Sequence, residues 1–155
     1  LQSSIVVLPE LIDSVLLQYS DEVQRRHVEL TVQVEPLRLR VEAEGLLLAL
    51  RNLLENALKY TRERQHAHIH VHARRNDLGV MLSVADNGIG FEMEYHDHIF
   101  KIFQRLHRDD QYPGTGIGLA LVRKAVERIG GRVWAQSRLG EGATFNIQLP
   151  KSAVV

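Results

Sequence analysis

Three polar side chains on one short stretch invite a chemical reading. The stretch is Leu-Arg-Asn-Leu-Leu-Glu-Asn-Ala-Leu-Lys-Tyr-Thr, Leu50 to Thr61. A 3.6-residue period places Asn52, Asn56 and Lys59 on one helical face. Leu47, Leu50, Leu54, Ala57 and Leu58 fall on the other. An ordinary amphipathic helix with a solvated polar face is one explanation. Such a face, however, carries Glu, Lys or Gln, and Asn is a mediocre helix former because its amide competes for backbone groups. Two asparagines four apart, with Lys59 a turn on, suit an anion together with its metal ion.

Two glycine-rich stretches extend that reading. Asp86-Asn87-Gly88-Ile89-Gly90 falls where a strand ends. A carboxylate there accepts a hydrogen bond from an exocyclic amine, and glycines let backbone approach a flat ligand closely. A plain glycine turn containing an Asp fits equally well. Gly114-Thr115-Gly116-Ile117-Gly118 opens the helix that carries Leu119. Free N–H groups and a positive dipole end suit phosphate, and a hinge without a ligand is the alternative. The stretch is neither a P-loop nor a dinucleotide fingerprint, because no Gly-Lys-Ser/Thr follows and no strand leads in. Gly140, Gly142 and Thr144 form a weaker third element that a hairpin turn also explains. His66, His68, His70 and His72 alternate and share one strand face. Without thiol or carboxylate partners, that row reads as a surface rather than a zinc site.

The elements that must position these groups follow from periodicity. Pro9 to Arg26 has helical spacing through Leu11, Ile12, Val15, Leu16, Tyr19 and Val23. Val28 to Val34 alternates as a half-buried strand, and Leu37 to Val41 forms a short second one. Glu42 to Thr61 is the organising helix. Ala67 to Ala73 and Gly79 to Ala85 form a hairpin about Asp77-Leu78-Gly79. Asp86 to Pro113 has no clean period beyond a short helix at His96 to Leu106, and reads as a functional lid. Gly116 to Ile129 is helical and ends at Gly130-Gly131. Arg132 to Ser137 and Ala143 to Leu149 are the last strands. The sum is an α+β, two-layer sandwich. A mixed, mostly antiparallel sheet of about five strands is covered on one face by three helices.

Bulk properties narrow the function. At 155 residues the chain makes one domain with a real core. Lys and Arg balance Asp and Glu at 19 each, so no net field favours nucleic acid or an anionic membrane. The absence of cysteine excludes disulfides and thiolate zinc sites. No apolar run approaches a membrane span. Without an initiating Met, and beginning mid-pattern at Leu1, the chain reads as a fragment of a longer protein.

In order and spacing the motifs resemble the catalytic, ATP-binding domain of two-component sensor histidine kinases, of the wider group shared with gyrase B, Hsp90 and MutL. Asn52–Thr61 looks like the N box and Asp86–Gly90 like the first G box. Ile99–Leu106 looks like the F box and Gly114–Leu121 like the second G box. Gly140–Phe145 ends the domain as such domains end. The resemblance spans roughly residues 8 to 150. The run from Phe103 to Gly116 is further similar to kinases of the bacteriophytochrome kind.

The resemblance implies roles residue by residue. Asp86 would bond the adenine amine and select ATP over GTP, with Gly88, Ile89 and Gly90 flooring the base pocket and Thr144 beside Asp86. Asn56 would hold Mg²⁺. Lys59 and Tyr60 would contact phosphates or the ribose side. Gly114, Thr115, Gly116, Gly118 and Leu119 would cradle phosphates. Phe100 and Phe103 would anchor the lid, and Arg105 would reach the γ-phosphate. Asn52 stands where the gyrase branch has a water-activating Glu. An amide has no useful basicity, which favours phosphoryl transfer over hydrolysis, with Glu55 the only nearby acid able to assist.

The implied partners are a phosphoacceptor helical hairpin of the same parent protein and a response-regulator receiver domain, in a cytoplasmic setting. No His here has the phosphoacceptor context, so this fragment would bind ATP without autophosphorylating. The rival readings are a hydrolysing clamp of the gyrase kind, a protein-serine kinase of the same fold, and a nucleotide-free docking module.

Overall fold

The structure, a computed structural model, describes residues 2–101 and 118–155. Five strands form one sheet in the order β2-β4-β5-β7-β6: β2 (Glu29–Val34), β4 (His68–Asn76), β5 (Gly79–Asp86), β6 (Arg132–Arg138) and β7 (Gly142–Pro150). β2 runs parallel to β4 and all other pairs are antiparallel. A separate two-stranded ribbon pairs β1 (Ser4–Val7) with β3 (Arg38–Val41). Among the described residues four α-helices complete the fold: α1 (Leu8–Leu17), α2 (Ser20–Arg26), α3 (Ala43–Tyr60) and α4 (Gly118–Arg128). The α+β two-layer class expected from the sequence is the observed one.

Helix α3 lies at the centre of the helical layer, against α1, α4 and β5. It therefore buries a wider stripe than its period suggests. Leu46, Ala49 and Leu53 are buried beside Leu50, Leu54, Ala57 and Leu58. Across from them, alternation on the sheet supplies Ile69, Val71 and Ala73 of β4, Val80, Leu82 and Val84 of β5, and Phe145, Ile147 and Leu149 of β7. The opposite sheet face is polar. Ser83 donates to Asn146 Oδ1 at 2.6 Å, and Asn76 and Gln148 exchange hydrogen bonds at 2.7 and 3.1 Å. These strand-to-strand bonds satisfy the buried Ser83, Asn146 and Gln148 side chains.

Three expectations are corrected. The helix expected over Pro9–Arg26 is two helices, which brings the α-helices among the described residues to four. It breaks at Gln18–Tyr19, where both amides bond three residues back and Ser20 Oγ donates to Leu17 O at 3.0 Å. The break turns Tyr19 toward α3, where its hydroxyl donates to Glu55 Oε1 at 2.5 Å. Secondly, the strand at Leu37–Val41 joins β1 rather than the main sheet. Thirdly, the helix expected over His96–Leu106 is represented among the described residues by one 3₁₀ turn, His98–Phe100, which a second turn at Met93–Tyr95 precedes. Residues 102–106 lie outside the described chain.

The segment after β5 is seated firmly up to Phe100. Phe91, Ile99 and Phe100 are buried, and the Phe100 ring meets Phe145 edge-on at 6.2 Å. His96 Nε2 accepts the Ala135 N–H at 2.9 Å, occupying an outward amide of edge strand β6.

Candidate functional site

The last residue of β5 is Asp86, and strand parity decides where it points. It pairs with Ile69 and Ala143, both core-facing, so its carboxylate enters the helical side of the sheet. Oδ1 accepts the Gly88 N–H at 2.8 Å, and the Ala143 N–H also bonds the carboxylate. Burial pushes this carboxyl up to about 6 from its ordinary 3.8, against the opposing pull of those two amides and of Arg64. A half-sheltered carboxylate with remaining lone pairs is an acceptor waiting for a donor.

The loop behind Asp86 is held from three sides. Ile89 N–H donates to Tyr60 O at 3.1 Å, at the end of α3. Asn87 closes onto the start of β4, accepting the His68 N–H at 2.8 Å and donating to His66 O at 2.9 Å. Gly140 N–H, in the β6–β7 turn, donates to Ile89 O at 2.7 Å.

These contacts revise the expected role of the glycines. A Cβ on Gly88 would lie 2.3 Å from Tyr60 O, and one on Gly90 would lie 2.3 Å from Arg138 O. Gly90 also takes φ +64°, a left-handed conformation. Their lack of side chains is thus explained by close packing of the protein's own backbone rather than by a flat ligand. Gly142 is the strongest case, with φ +122° and a Cβ position 2.1 Å from Asp86 O.

The second half of the site is the polar face of α3. Asn52, Asn56, Lys59 and Tyr60 are all half-buried on it. Asn52 Nδ2 donates back to Leu48 O at 2.8 Å. That bond fixes the amide so that Oδ1 faces α4, where a Cβ on Gly118 would meet it at 3.0 Å. Lys59 Nζ stands 5.0 Å from the centroid of the Tyr60 ring. The end of the helix is locked by a residue that periodicity does not reveal. Arg26 donates to Leu58 O at 2.8 Å and Thr61 Oγ1 at 3.0 Å, and pairs with Glu22 at 2.7 Å. Buried Thr61 in turn donates to Ala57 O at 2.8 Å. The last-turn carbonyls are thereby satisfied.

The sequence-derived candidates divide accordingly. Gly118 leaves room for Asn52 Oδ1 that a side chain would crowd, Lys59 and Tyr60 share a contact, and hydrogen bonds tie Ile89 to Tyr60 and Gly88 to Asp86, with Gly90 next in the same loop. Leu119 is half-buried at the start of α4, and Phe100 is buried in the core as an anchor. Thr144 is a correction. It pairs with Ala85, so parity turns it to the opposite sheet face, and Ala143 is the neighbour of Asp86. Glu55 is another, since it is engaged by Tyr19 on the α1 side. Phe103, Arg105, Gly114, Thr115 and Gly116 lie outside the described residues.

The histidine row faces the polar side of the sheet, away from Asp86. His68 bonds Thr31 at 3.0 Å and His70 bonds Gln33 at 2.7 Å. His72 is held below its ordinary value, chiefly by burial. Among the described residues no three His, Cys, Asp or Glu side chains stand together as a metal cluster.

Comparison with known proteins places the chain in a family. Residues 41–153 match the family described as histidine kinase-, DNA gyrase B- and HSP90-like ATPases, and the chain belongs to it. Cyanobacterial phytochrome A of a Nostoc species is 47% identical over 105 residues, covering 68% of this chain and 14% of that protein. The phytochrome-like protein Cph1 of a Synechocystis species is 33% identical over 141 residues, covering 91% and 19%. The chain thus spans under a fifth of the length of these relatives.

Among solved structures, the mycobacterial sensor histidine kinase MprB superposes with a TM-score of 0.80 at 28% identity, covering 96% of this chain and 97% of that one. Full-length ShkA, solved with AMPPNP, gives 0.85 at 28% identity, covering 100% and 32%. Within the family, then, this is a catalytic domain of the sensor histidine kinase type. No helix among the described residues is long and apolar enough to cross a membrane.

Proposed function

We propose that this domain binds Mg-ATP and donates the γ-phosphate to a histidine on a separate helical hairpin of a longer sensor kinase, for transfer onward to a response-regulator aspartate. The observation that carries the reading is Asp86. Its carboxylate is turned into the helical side of the sheet, held by two backbone N–H groups, with the asparagine and lysine face of α3 forming the other half of the site. An acceptor so placed recognises the exocyclic amine of adenine and rejects the carbonyl of guanine. The AMPPNP held by ShkA supports the same ligand class here.

On the other side, Asn56 suits the magnesium ion. A neutral amide oxygen is a hard donor, and Mg²⁺ ordinarily takes few protein ligands and draws the rest from phosphates and water. When bound, the ion would neutralise phosphate charge during transfer. Lys59 adds a point charge, and Asn52 offers an oriented amide without basicity, so water is not activated there. The phosphates would extend toward the start of α4. Arg105, Phe103 and the Gly114–Gly118 stretch complete the reading as the γ-phosphate contact, the lid anchor and the phosphate cradle. A cytoplasmic domain of a dimeric parent belongs to the same proposal.

The test is calorimetric titration of the domain with ATP and GTP, with and without Mg²⁺, beside Asp86→Asn. We expect magnesium-dependent binding of ATP, no binding of GTP, and a loss in the variant of about 10- to 150-fold, the range of a charge-assisted hydrogen bond. A folded wild-type domain that binds neither nucleotide refutes the reading. Rapid hydrolysis of ATP by the isolated domain would instead assign it to a hydrolysing clamp.

A further inference from the structure

Arg64 lies three residues beyond the end of the family-like motif Asn52–Thr61, and no helical or strand period marks it. Its backbone is tied to the helix exit, with its N–H donating to Thr61 O at 2.9 Å. Its guanidinium crosses the mouth of the Asp86 loop. Nη2 donates to Gly88 O at 3.1 Å and also to Gly140 O. One side chain thus joins the exit of α3, the loop after β5 and the β6–β7 turn. Gly88 is gripped at both ends of its backbone: its N–H holds Asp86 Oδ1, and its carbonyl is held by Arg64.

We propose that Arg64 is a positioning residue for base recognition: it fixes the Gly88 peptide that orients Asp86 and brings a positive charge to the same loop. The inference rests on the nucleotide-binding reading above. The fork shape of the guanidinium matters, because it reaches two carbonyls from one stem. Its charge matters too. Burial favours the neutral acid at Asp86, and Arg64 is the charged group that acts in the opposite direction. Ionisable groups that flank the loop on the packed elements include Lys59 and Tyr60 of α3, Arg62 and Glu63 beside Arg64, His66 and His68 at the start of β4, and Arg138 with Glu141, which pair across the β6–β7 turn at 3.4 Å.

The experiment compares wild type, Arg64→Gln and Arg64→Lys with two readouts. The first is the Asp86 carboxyl titration followed by ¹³C NMR without nucleotide. The second is ATP affinity as a function of pH. Arg64→Gln should move the Asp86 midpoint upward and weaken ATP near pH 6.5 by roughly threefold, the size of an exposed charge interaction, with a further loss that persists at pH 8 from the missing brace. Arg64→Lys should restore the midpoint but not the affinity at pH 8. An unchanged midpoint in Arg64→Gln, with or without a uniform loss of affinity, overturns the inference. Absence of ATP binding by wild type at every pH rejects the nucleotide reading instead, and the NMR titration still decides whether Arg64 sets the ionisation of Asp86.

Discussion

The two halves of the site are built from different materials. The Asp86 half is backbone: four peptide groups from three elements fix the loop, and glycines admit them at distances no side chain would allow. The α3 half is side chains, Asn52, Asn56, Lys59 and Tyr60, presented by a helix whose buried stripe holds it in place. A backbone-built surface is difficult to alter without unfolding, whereas a side-chain surface can change its chemistry residue by residue. Recognition of the base therefore falls to the part coupled to the fold, and handling of phosphate and metal to the part that is not.

The sharpest way to break that contrast is Gly142→Ala. It places a Cβ 2.1 Å from Asp86 O at φ +122°. Denaturant unfolding should show a loss of about 3 kcal/mol or more, with nucleotide binding lost alongside. Asn56→Ala should do the reverse. The magnesium-dependent part of ATP affinity should fall by about 1.5–3 kcal/mol in calorimetry while the unfolding midpoint stays near wild type. A comparable loss of stability in both variants would erase the distinction between the halves.

A smaller effect sharpens the Asp86 side. The carboxyl is neutral in both folded and unfolded chains below 3.8. Between 3.8 and about 6 only the unfolded chain ionises freely, so rising pH costs stability until the folded group also ionises. Relative to Asp86→Asn, the nucleotide-free wild type should lose up to about 3 kcal/mol across that window and change little above it. The opposite slope would mean that the two amides and Arg64 outweigh burial. Smallest is Arg26→Met, which removes the bonds to Leu58 O and Thr61. It should cost about 1 kcal/mol in thermal or denaturant unfolding and leave the magnesium dependence of ATP binding intact.

The sequence made the α3 half readable and left much of the backbone half hidden. Asn52, Asn56 and Lys59 declare themselves because a helical period is local. Leu46 and Leu53 escaped the expected apolar face because α3 is flanked on two sides as well as beneath. Tyr19 fits the helical spacing through Val15 and Val23, so the break before Ser20 leaves no mark in periodicity. β1 is four residues long and pairs with a strand more than thirty residues away, which no local pattern announces. The Thr144 placement failed on parity: the motif located the right strand, but a shift of one residue exchanges sheet faces. Arg26 and Arg64 act through single long-range contacts to carbonyls, and such contacts have no period at all.

The position of Trp134, the only tryptophan, has a spectroscopic consequence. It pairs with Asn146 on the polar sheet face, with the Arg132 guanidinium 4.5 Å from its ring centroid. Asp86 points to the other side of the same sheet. Emission from this indole should follow melting of the sheet and ignore a ligand seated among the helices. One cuvette can thus report, at separate wavelengths, whether a variant has lost its scaffold or only its grip on a labelled nucleotide.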